Sequence, residues 1–315
     1  MKFRVIYMGT PSFASEVLSF LVKQAAIDIV GVVTQPDRLV GRKKKLVYSE
    51  VKQTALDHQF LLFQPEKISH ITHQLSQLKA DAIITCAYGQ FLPETILKMT
   101  PSGVINIHAS LLPKYRGGAP MQQAIRNGET ETGITLMKSA KKMDAGDIFS
   151  QLKVTIDPDE TLTSLELKLI QASKQIVQRD LLSILNGRLK PVAQDSDLAT
   201  FAPIIKAEDE LIDMNQPGQQ IYNQIRSLID NPYAYAYLDG KKIKICRAKY
   251  QEDKHSHPQG QIVSFDKDQL VVAVSGGLLL ITELQIAGKE KMSVTQLYPG
   301  YHQQWQGQRF TSNEG

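Results

Sequence analysis

Short runs of apolar, mostly β-branched residues alternate with amphipathic stretches through the first half of the chain. Phe3–Gly9 (FRVIYMG) and residues 29–34 (IVGVVT) read as strands, with the helical pattern PSFASEVLSFLVKQ between them. Thr10 suits the N-cap of that helix, and Pro11 its first position, where a missing N–H costs nothing. The alternation continues with a helix over residues 68–78, a wholly apolar strand over 82–87, a short helix over 93–99 and a strand over 104–108. Strands this apolar are buried on both faces, which calls for a parallel sheet covered by helices. The pattern therefore predicts an α/β domain with a doubly wound, mostly parallel sheet.

A longer helical pattern follows. Leu162, Leu165, Leu169, Ile176 and Leu185 keep helical spacing, and Asn186-Gly187 ends the run, so a first domain is expected over residues 1–189. Residues 190–206 are polar, contain Pro191 and Pro203, and read as a linker. A helix over 217–229 then precedes five short β runs broken by Gly, Asp and Asn. Repeated short strands with turn residues between them predict a small β-barrel over residues 207–315.

Composition agrees with two domains and removes several classes. The 315 residues give room for two cores, and 42% hydrophobic with 22% charged residues rules out a disordered, collagenous or coiled-coil chain. With only Cys86 and Cys246 there is no disulfide framework and no cysteine-built zinc site, which fits a reducing compartment. The first apolar run stops at Gly9-Thr10-Pro11, unlike a signal peptide, and Leu270–Ile281 is interrupted and too short for a bilayer. A soluble, cytoplasmic protein is expected. The net charge of +4 is uneven: residues 1–189 carry 23 basic and 17 acidic residues (net +6), and residues 190–315 carry 13 and 15 (net −2). A polyanionic partner should meet mainly the first domain.

The chemistry is not that of a nucleotide fold. Neither GxGxxG nor GxxxxGK[ST] occurs, so dinucleotide or nucleoside-triphosphate binding finds no support in the α/β pattern. The informative stretch is GVINIHASLLPKYRGGAPMQQAI, residues 103–125. Asn106 and His108 lie two apart in a strand, so both side chains point to one face and can address one atom together. Ligands of open α/β sheets bind at the carboxyl ends of such strands. On these two residues alone, a hydrogen-bonded pair that merely ends the strand is the better account.

Further segments decide the matter: GTPSFA (9–14), TQPDRLVGRKKKL (34–46), AYGQFLP (87–93), INIHASLLPKYRGGAPMQ (105–122), ETGITLM (131–137) and MDAGDI (143–148). In this order they resemble the folate-dependent formyltransferase family over nearly the whole chain, and within it the two-domain branch that formylates methionyl-initiator tRNA. The resemblance implies a Rossmann-like formyltransferase domain followed by an OB-like β-barrel that assists tRNA binding. It also implies 10-formyltetrahydrofolate as formyl donor, no metal, and a monomer. By the same resemblance Asn106, His108 and Asp144 form the catalytic set, and Ser110, Leu111, Leu112 and Pro113 lie against the folate. A turn role for Asp144 is the plainer alternative, since MDAGD is also good turn chemistry.

Elementary chemistry fits that assignment. Formyl transfer to an amine passes through a tetrahedral species with a negative oxygen, to which an amide and an imidazolium on one strand face can both donate. A carboxylate beside the imidazole favours its charged form and can help move the amine's proton to the leaving nitrogen. An α-amino group is already partly neutral at physiological pH, so no covalent nucleophile is required, and Cys86 and Ser110 are weak candidates for one. His255 and His257 sit in a polar stretch without partner ligands and read as a solvated loop.

Arg42, Lys43, Lys44 and Lys45 form the densest basic run. Such runs are usually solvated surface, but the resemblance implies that this loop contacts the acceptor arm of the tRNA and that Lys206 is a basic linker position. Lys241, Lys242, Lys244, Arg247 and Lys249 cluster on strands of the second domain, where strict alternation would keep all five from one phosphate track. Met214 and Tyr233 stand where the family often has Trp, and both read as packing substitutions. Two other functions compete: transfer to a sugar amine, and tRNA binding without catalysis, which would tolerate a broken Asn, His or Asp where none is broken. Phosphate contact by the basic loop has a direct check in binding measured across a salt series. Replacing Arg42 and Lys43 with Ala is expected to weaken tRNA use and flatten the salt dependence by about 0.9 log unit per lost contact, and an unchanged slope refutes the contact.

Overall fold

In the computed structural model, which describes residues 2–40, 45–230 and 232–313, the apolar runs form strands close to where their pattern predicts them. In chain order these are β1 (Phe3–Gly9), β2 (Ile27–Val33), β3 (Arg38–Val40), β4 (Lys45–Val47), β5 (Leu62–Phe63), β6 (Ala82–Cys86), β7 (Val104–His108), β8 (Glu131–Lys138) and β9 (Ile148–Thr155). Seven of them make one sheet in the order β5-β2-β1-β6-β7-β8-β9, and β3 and β4 pair separately as a hairpin. β5 through β7 are parallel, while β8 and β9 continue the sheet antiparallel.

Both faces of the parallel strands are covered, as their composition demands. Tyr7 sends its hydroxyl to the Ala14 carbonyl (2.6 Å) on the helix Ser12–Val22. Its strand neighbours Ile6 and Met8 join Ile68, Leu75, Ile83, Ile96 and Val104 in a separate cluster, as side chains of alternate direction must. The stretch 68–78 is a 3-10 turn (Ile68–Ile71) running into a short helix (Thr72–Ser76) rather than one continuous helix.

Strand order reverses between β1 and β6, since the chain leaves β1 for β2 and β5 and returns to β6. A reversal of this kind opens a crevice at the carboxyl ends of the two strands. Thr10 does not cap the helix, which begins at Ser12 with Pro11 in the N-cap position. Its hydroxyl instead donates to the Tyr88 carbonyl (3.0 Å), tying the loop after β1 to the loop after β6.

The described residues divide into two compact units, Met1–Pro120 with Glu131–Thr155 and Glu166–Pro203, and Met121–Thr130 with Ile156–Leu165 and Ile204–Gly315. The polar stretch after residue 190 is built into the first unit as far as Pro203. Val192 bridges to Ile148, and Phe201 to Arg116. The Ala202 N–H donates to the Arg116 carbonyl (2.7 Å) and its own carbonyl accepts from Ala119 (3.1 Å). These are main-chain bonds, which polar side chains do not advertise.

The second unit holds β10 (Ala234–Leu238), β11 (Lys241–Glu252), β12 (Ile262–Phe265), β13 (Leu270–Val274), β14 (Gly277–Ile286) and β15 (Lys291–Ser293), paired antiparallel in the order β10-β11-β14-β13-β12 with β15 on β14. The last described residues join the sheet's two ends. Thr311 exchanges main-chain bonds with Tyr237 of β10 (2.8 and 2.9 Å), while Phe310 donates to Gly260 and Gln308 accepts from Ile262 of β12 (both 2.8 Å). Met214 and Phe310 lie in the core so enclosed, with Ile221, Ile243, Leu279 and Trp305. Met214 is thus the packing substitution expected of it, whereas Tyr233 is only partly buried, at a positive φ of 70°.

A β-bulge at Cys246 breaks the register of β11 against β14. The extra residue reverses which parity faces inward: Ile243 and Ile245 are buried before it, Ala248 after it. Lys242, Lys244, Arg247 and Lys249 therefore all point outward, while Lys241 keeps the parity of inward Ile243, so four of the five basic residues share a side. Among the described residues no helix is long and apolar enough to cross a membrane.

Phe310 is fully buried where the terminal segment meets the sheet. Phe310→Ala is expected to cost about 3–5 kcal/mol and lower the unfolding midpoint in calorimetry or a denaturant titration. An unmoved midpoint would refute a closing role for this segment.

Candidate active site

β7 carries the first two groups. Asn106 pairs with Thr85 on β6 and with Met137 on β8, and His108 pairs with Thr135 on β8. The Thr85 hydroxyl donates to Asn106 Oδ1 (2.9 Å), which turns the amide nitrogen toward Asp144, where Nδ2 lies 3.5 Å from Oδ1. His108 is only 6% exposed. Its Nε2 is 3.0 Å from the Tyr115 carbonyl and its Nδ1 is 3.7 Å from Asp144 Oδ2, so each ring nitrogen faces an acceptor.

Asp144 reaches this face from the turn between β8 and β9. Its backbone is left-handed, at φ 46°, a conformation Asp tolerates better than most residues. The Gly117 N–H donates to Asp144 Oδ2 (2.9 Å). Glycine is required at that donor, because φ is 127° and a Cβ would stand 2.5 Å from the Ala202 carbonyl oxygen. Gly146 is under the same constraint: a Cβ there would sit 1.7 Å from the Lys138 oxygen. The plain turn reading and the catalytic one thus converge, since this turn is what points the carboxylate at Asn106 and His108.

Behind the turn lies a residue that sequence reasoning missed. Gln194 donates through Nε2 to the carbonyls of Asp144 (2.8 Å) and Gly146 (2.6 Å). Its Oε1 accepts from Arg116 Nε (3.1 Å) and Nη2 (2.7 Å), and Arg116 is 1% exposed. Gln194 stands alone in a polar stretch with no spacing signal.

The segment after β7 folds back on β8. Ser110 is buried, its hydroxyl donating to the Lys114 carbonyl (2.7 Å), so the oxygen is already engaged. Thr135 donates to the Ser110 carbonyl (2.6 Å) and accepts from Leu112 N–H (3.2 Å), and Gln151 donates to the Leu112 carbonyl (2.8 Å). Leu112 is buried, whereas Leu111 and Pro113 are partly exposed. Thr135 and Gln151 also escaped sequence reasoning, since a hydroxyl and an amide in an apolar strand pattern carry no label of their own.

In sequence the basic run falls between β3 and β4. Arg42, Lys43 and Lys44 lie outside the described residues; the Lys45 backbone opens β4 opposite Val40, next to the exposed cross-strand pair Leu39 and Leu46. At the hairpin's base Asp37 accepts from Lys52 Nζ (2.6 Å) and Gln64 Nε2 (2.8 Å), and these bonds, Lys52 foremost, hold its carboxyl below the usual range. In the second unit Lys206 is exposed and pairs with Glu208 at 3.3 Å, an interaction of little energetic weight at the surface. Of the outward basic residues on β11, Lys242 lies 3.4 Å above the Tyr235 ring, Lys244 donates to the Pro232 carbonyl (2.8 Å), and Arg247 is 3.7 Å from Glu283.

His255 is half-buried, its Nε2 within 3.0 Å of the Val274 carbonyl and 2.8 Å of that of Gly277, so it anchors its loop rather than standing free in solvent. Among the described residues no group of three or more His, Cys, Asp or Glu is placed to hold a metal ion.

A parallel sheet with a switch-point crevice, beside which amide, imidazole and carboxylate meet, defines a class that comparison makes explicit. Residues 1–181 match the family described as "Formyl transferase", and residues 204–302 its "Formyl transferase, C-terminal domain": the chain belongs to the formyl transferase family. The methionyl-tRNA formyltransferase of Streptococcus equi subsp. equi is 44% identical over 299 residues, covering 94% of this chain and 95% of the relative. That of Lactobacillus gasseri is 43% identical over 313 residues, covering 98% of each. Among solved structures, the N-formyltransferase of Helicobacter canadensis in complex with folinic acid and dTDP-3-aminofucose shares the fold (TM-score 0.67, 16% identity, 89% of this chain and 99% of that one).

Neither cysteine is suited to nucleophilic work. Burial pushes the Cys86 thiol up to about 12 and that of Cys246 to about 11, so both remain neutral thiols at pH 8. A chromogenic disulfide reagent at that pH is expected to react with neither in the folded protein and with both after denaturation. Rapid modification of Cys86 in the native state would reopen the case for it as nucleophile.

Proposed function

We propose that this chain is a methionyl-tRNA formyltransferase of the cytoplasm, moving the formyl group of 10-formyltetrahydrofolate to the α-amino group of methionyl-initiator tRNA. The observation that carries the reading is the meeting of both strand residues with one carboxylate, Asp144 lying 3.5 Å from Asn106 Nδ2 through Oδ1 and 3.7 Å from His108 Nδ1 through Oδ2. Relatives of that name, matching the chain over more than nine-tenths of its length, support the choice of acceptor.

The neutral amine of the methionyl ester attacks the formyl carbon, and the formyl oxygen takes the negative charge. Asn106 Nδ2, free of any short bond and aimed by Thr85, donates to that oxygen. His108 approaches it through Nδ1, the ring nitrogen without a close partner. The carbon–N10 bond then breaks as the carbonyl re-forms and the proton lost by the amine passes by way of Asp144 to N10. Ser110 to Pro113 flank the folate. The basic run Arg42, Lys43, Lys44 and Lys45 meets tRNA phosphates, and Lys206 adds a further basic contact.

Loss of one oxyanion donor typically costs about 10²- to 10³-fold. Asn106→Ala, His108→Ala and Asp144→Ala are each expected to lower turnover at least about 10²-fold with unchanged melting, measured with 10-formyltetrahydrofolate and charged initiator tRNA. Near-normal turnover in any variant removes that residue from the set. Formylation of a nucleotide-linked amino sugar but not of the charged tRNA would overturn the assigned acceptor.

A further inference from the structure

Asp144 works only if its carboxylate stays between Asn106 and His108, yet its own backbone is in a left-handed conformation in the connection between β8 and β9. The main chain on either side of Ala145 is secured by one amide, since Gln194 Nε2 donates both to the Asp144 carbonyl at 2.8 Å and to the Gly146 carbonyl at 2.6 Å. The other end of that amide is fixed as firmly, because Gln194 Oε1 accepts from two nitrogens of Arg116, which is 1% exposed. Arg116 directly precedes Gly117, whose N–H holds Asp144 Oδ2 at 2.9 Å. The bonds thus close a ring: carboxylate to Gly117, Arg116 to Gln194, and Gln194 back to the backbone of Asp144.

We propose that Gln194 is a positioning residue for formyl transfer, a clamp that sets the angle at which Asp144 addresses Asn106 and His108. The inference rests on the catalytic reading of Asp144 and adds to it a residue that touches neither substrate. The amide is chemically apt: one group must donate twice, to two carbonyls, while accepting from a guanidinium, and only Gln or Asn offers both ends. Asn is one methylene shorter and would not span the same gap.

Glutamate at this position separates positioning from mere packing. Gln194→Glu keeps, and charges, the acceptor that satisfies buried Arg116, but turns lone pairs toward the two carbonyls and abolishes both donations. A purely structural role through Arg116 predicts unchanged activity and an equal or higher melting temperature. A clamp predicts a fall in kcat of at least about tenfold, with KM for 10-formyltetrahydrofolate within about twofold and the variant still folded at the assay temperature. Gln194→Met removes the donors without adding charge, so a similar loss there excludes a simple field effect on Asp144 and covers the case in which the Glu variant does not fold. In an Asp144→Asn background Gln194→Glu should cost little more, because the group it positions is already disabled. Wild-type kcat in both single variants, or an undiminished loss on the Asp144→Asn background, overturns the proposal. Failure of the underlying reading is separately visible, as full turnover in Asp144→Asn alone.

Discussion

The carboxylate of Asp144 is the point at which distant stretches of the first unit are made to agree. Asn106 and His108 come to it from β7, the Gly117 N–H from the loop beyond, and Gln194 grips its backbone from a segment 50 residues further on. None of these bonds is strong alone, since a net protein hydrogen bond contributes only about 0.5–1.5 kcal/mol, with charge-assisted ones up to about 3. Their value is geometric: the acceptor has fixed directions, and satisfying several donors at once leaves the turn little freedom. The glycines at 117 and 146 follow from the same crowding, because any side chain there would meet a carbonyl oxygen.

The sheet explains why such a meeting is possible. Parallel strands deliver their carboxyl ends to one edge, which gives the crevice between β1 and β6 and sets the end of β7 beside it. Antiparallel β8 and β9 then add what a purely parallel sheet lacks, a tight connection between neighbouring strands that carries Asp144 to the same face. Thr85 and Thr135 extend the arrangement sideways, one turning the Asn106 amide and the other holding the loop after His108.

Much of this was legible in the sequence, for definable reasons. Apolar runs such as AIITC and VINIH state their burial on both faces, and hence parallel pairing, in their composition alone. Period-2 geometry puts Asn106 and His108 on one face of the strand from their spacing alone. What stayed hidden was set by the backbone. Gln194 works through main-chain carbonyls, residues 192–202 pair through main-chain N–H groups, and the bulge at Cys246 inserts an uncounted residue that turns four basic side chains to one side. Thr10 failed as a cap for a related reason: its hydroxyl had a longer-range carbonyl to serve.

Neither compact unit is a single stretch of polypeptide. The first is assembled from three segments and the second from three others, interleaved along the chain. No single cut therefore separates them, and a fragment ended at residue 189, just past the long helix, would retain Asn106, His108 and Asp144 while losing Gln194 and the segment that bridges to Arg116. Recombination between relatives faces the same seam. A chimera joined at the helix end would import its clamp from one parent and its carboxylate turn from the other, so catalytic compatibility, rather than folding alone, would decide which crossovers survive.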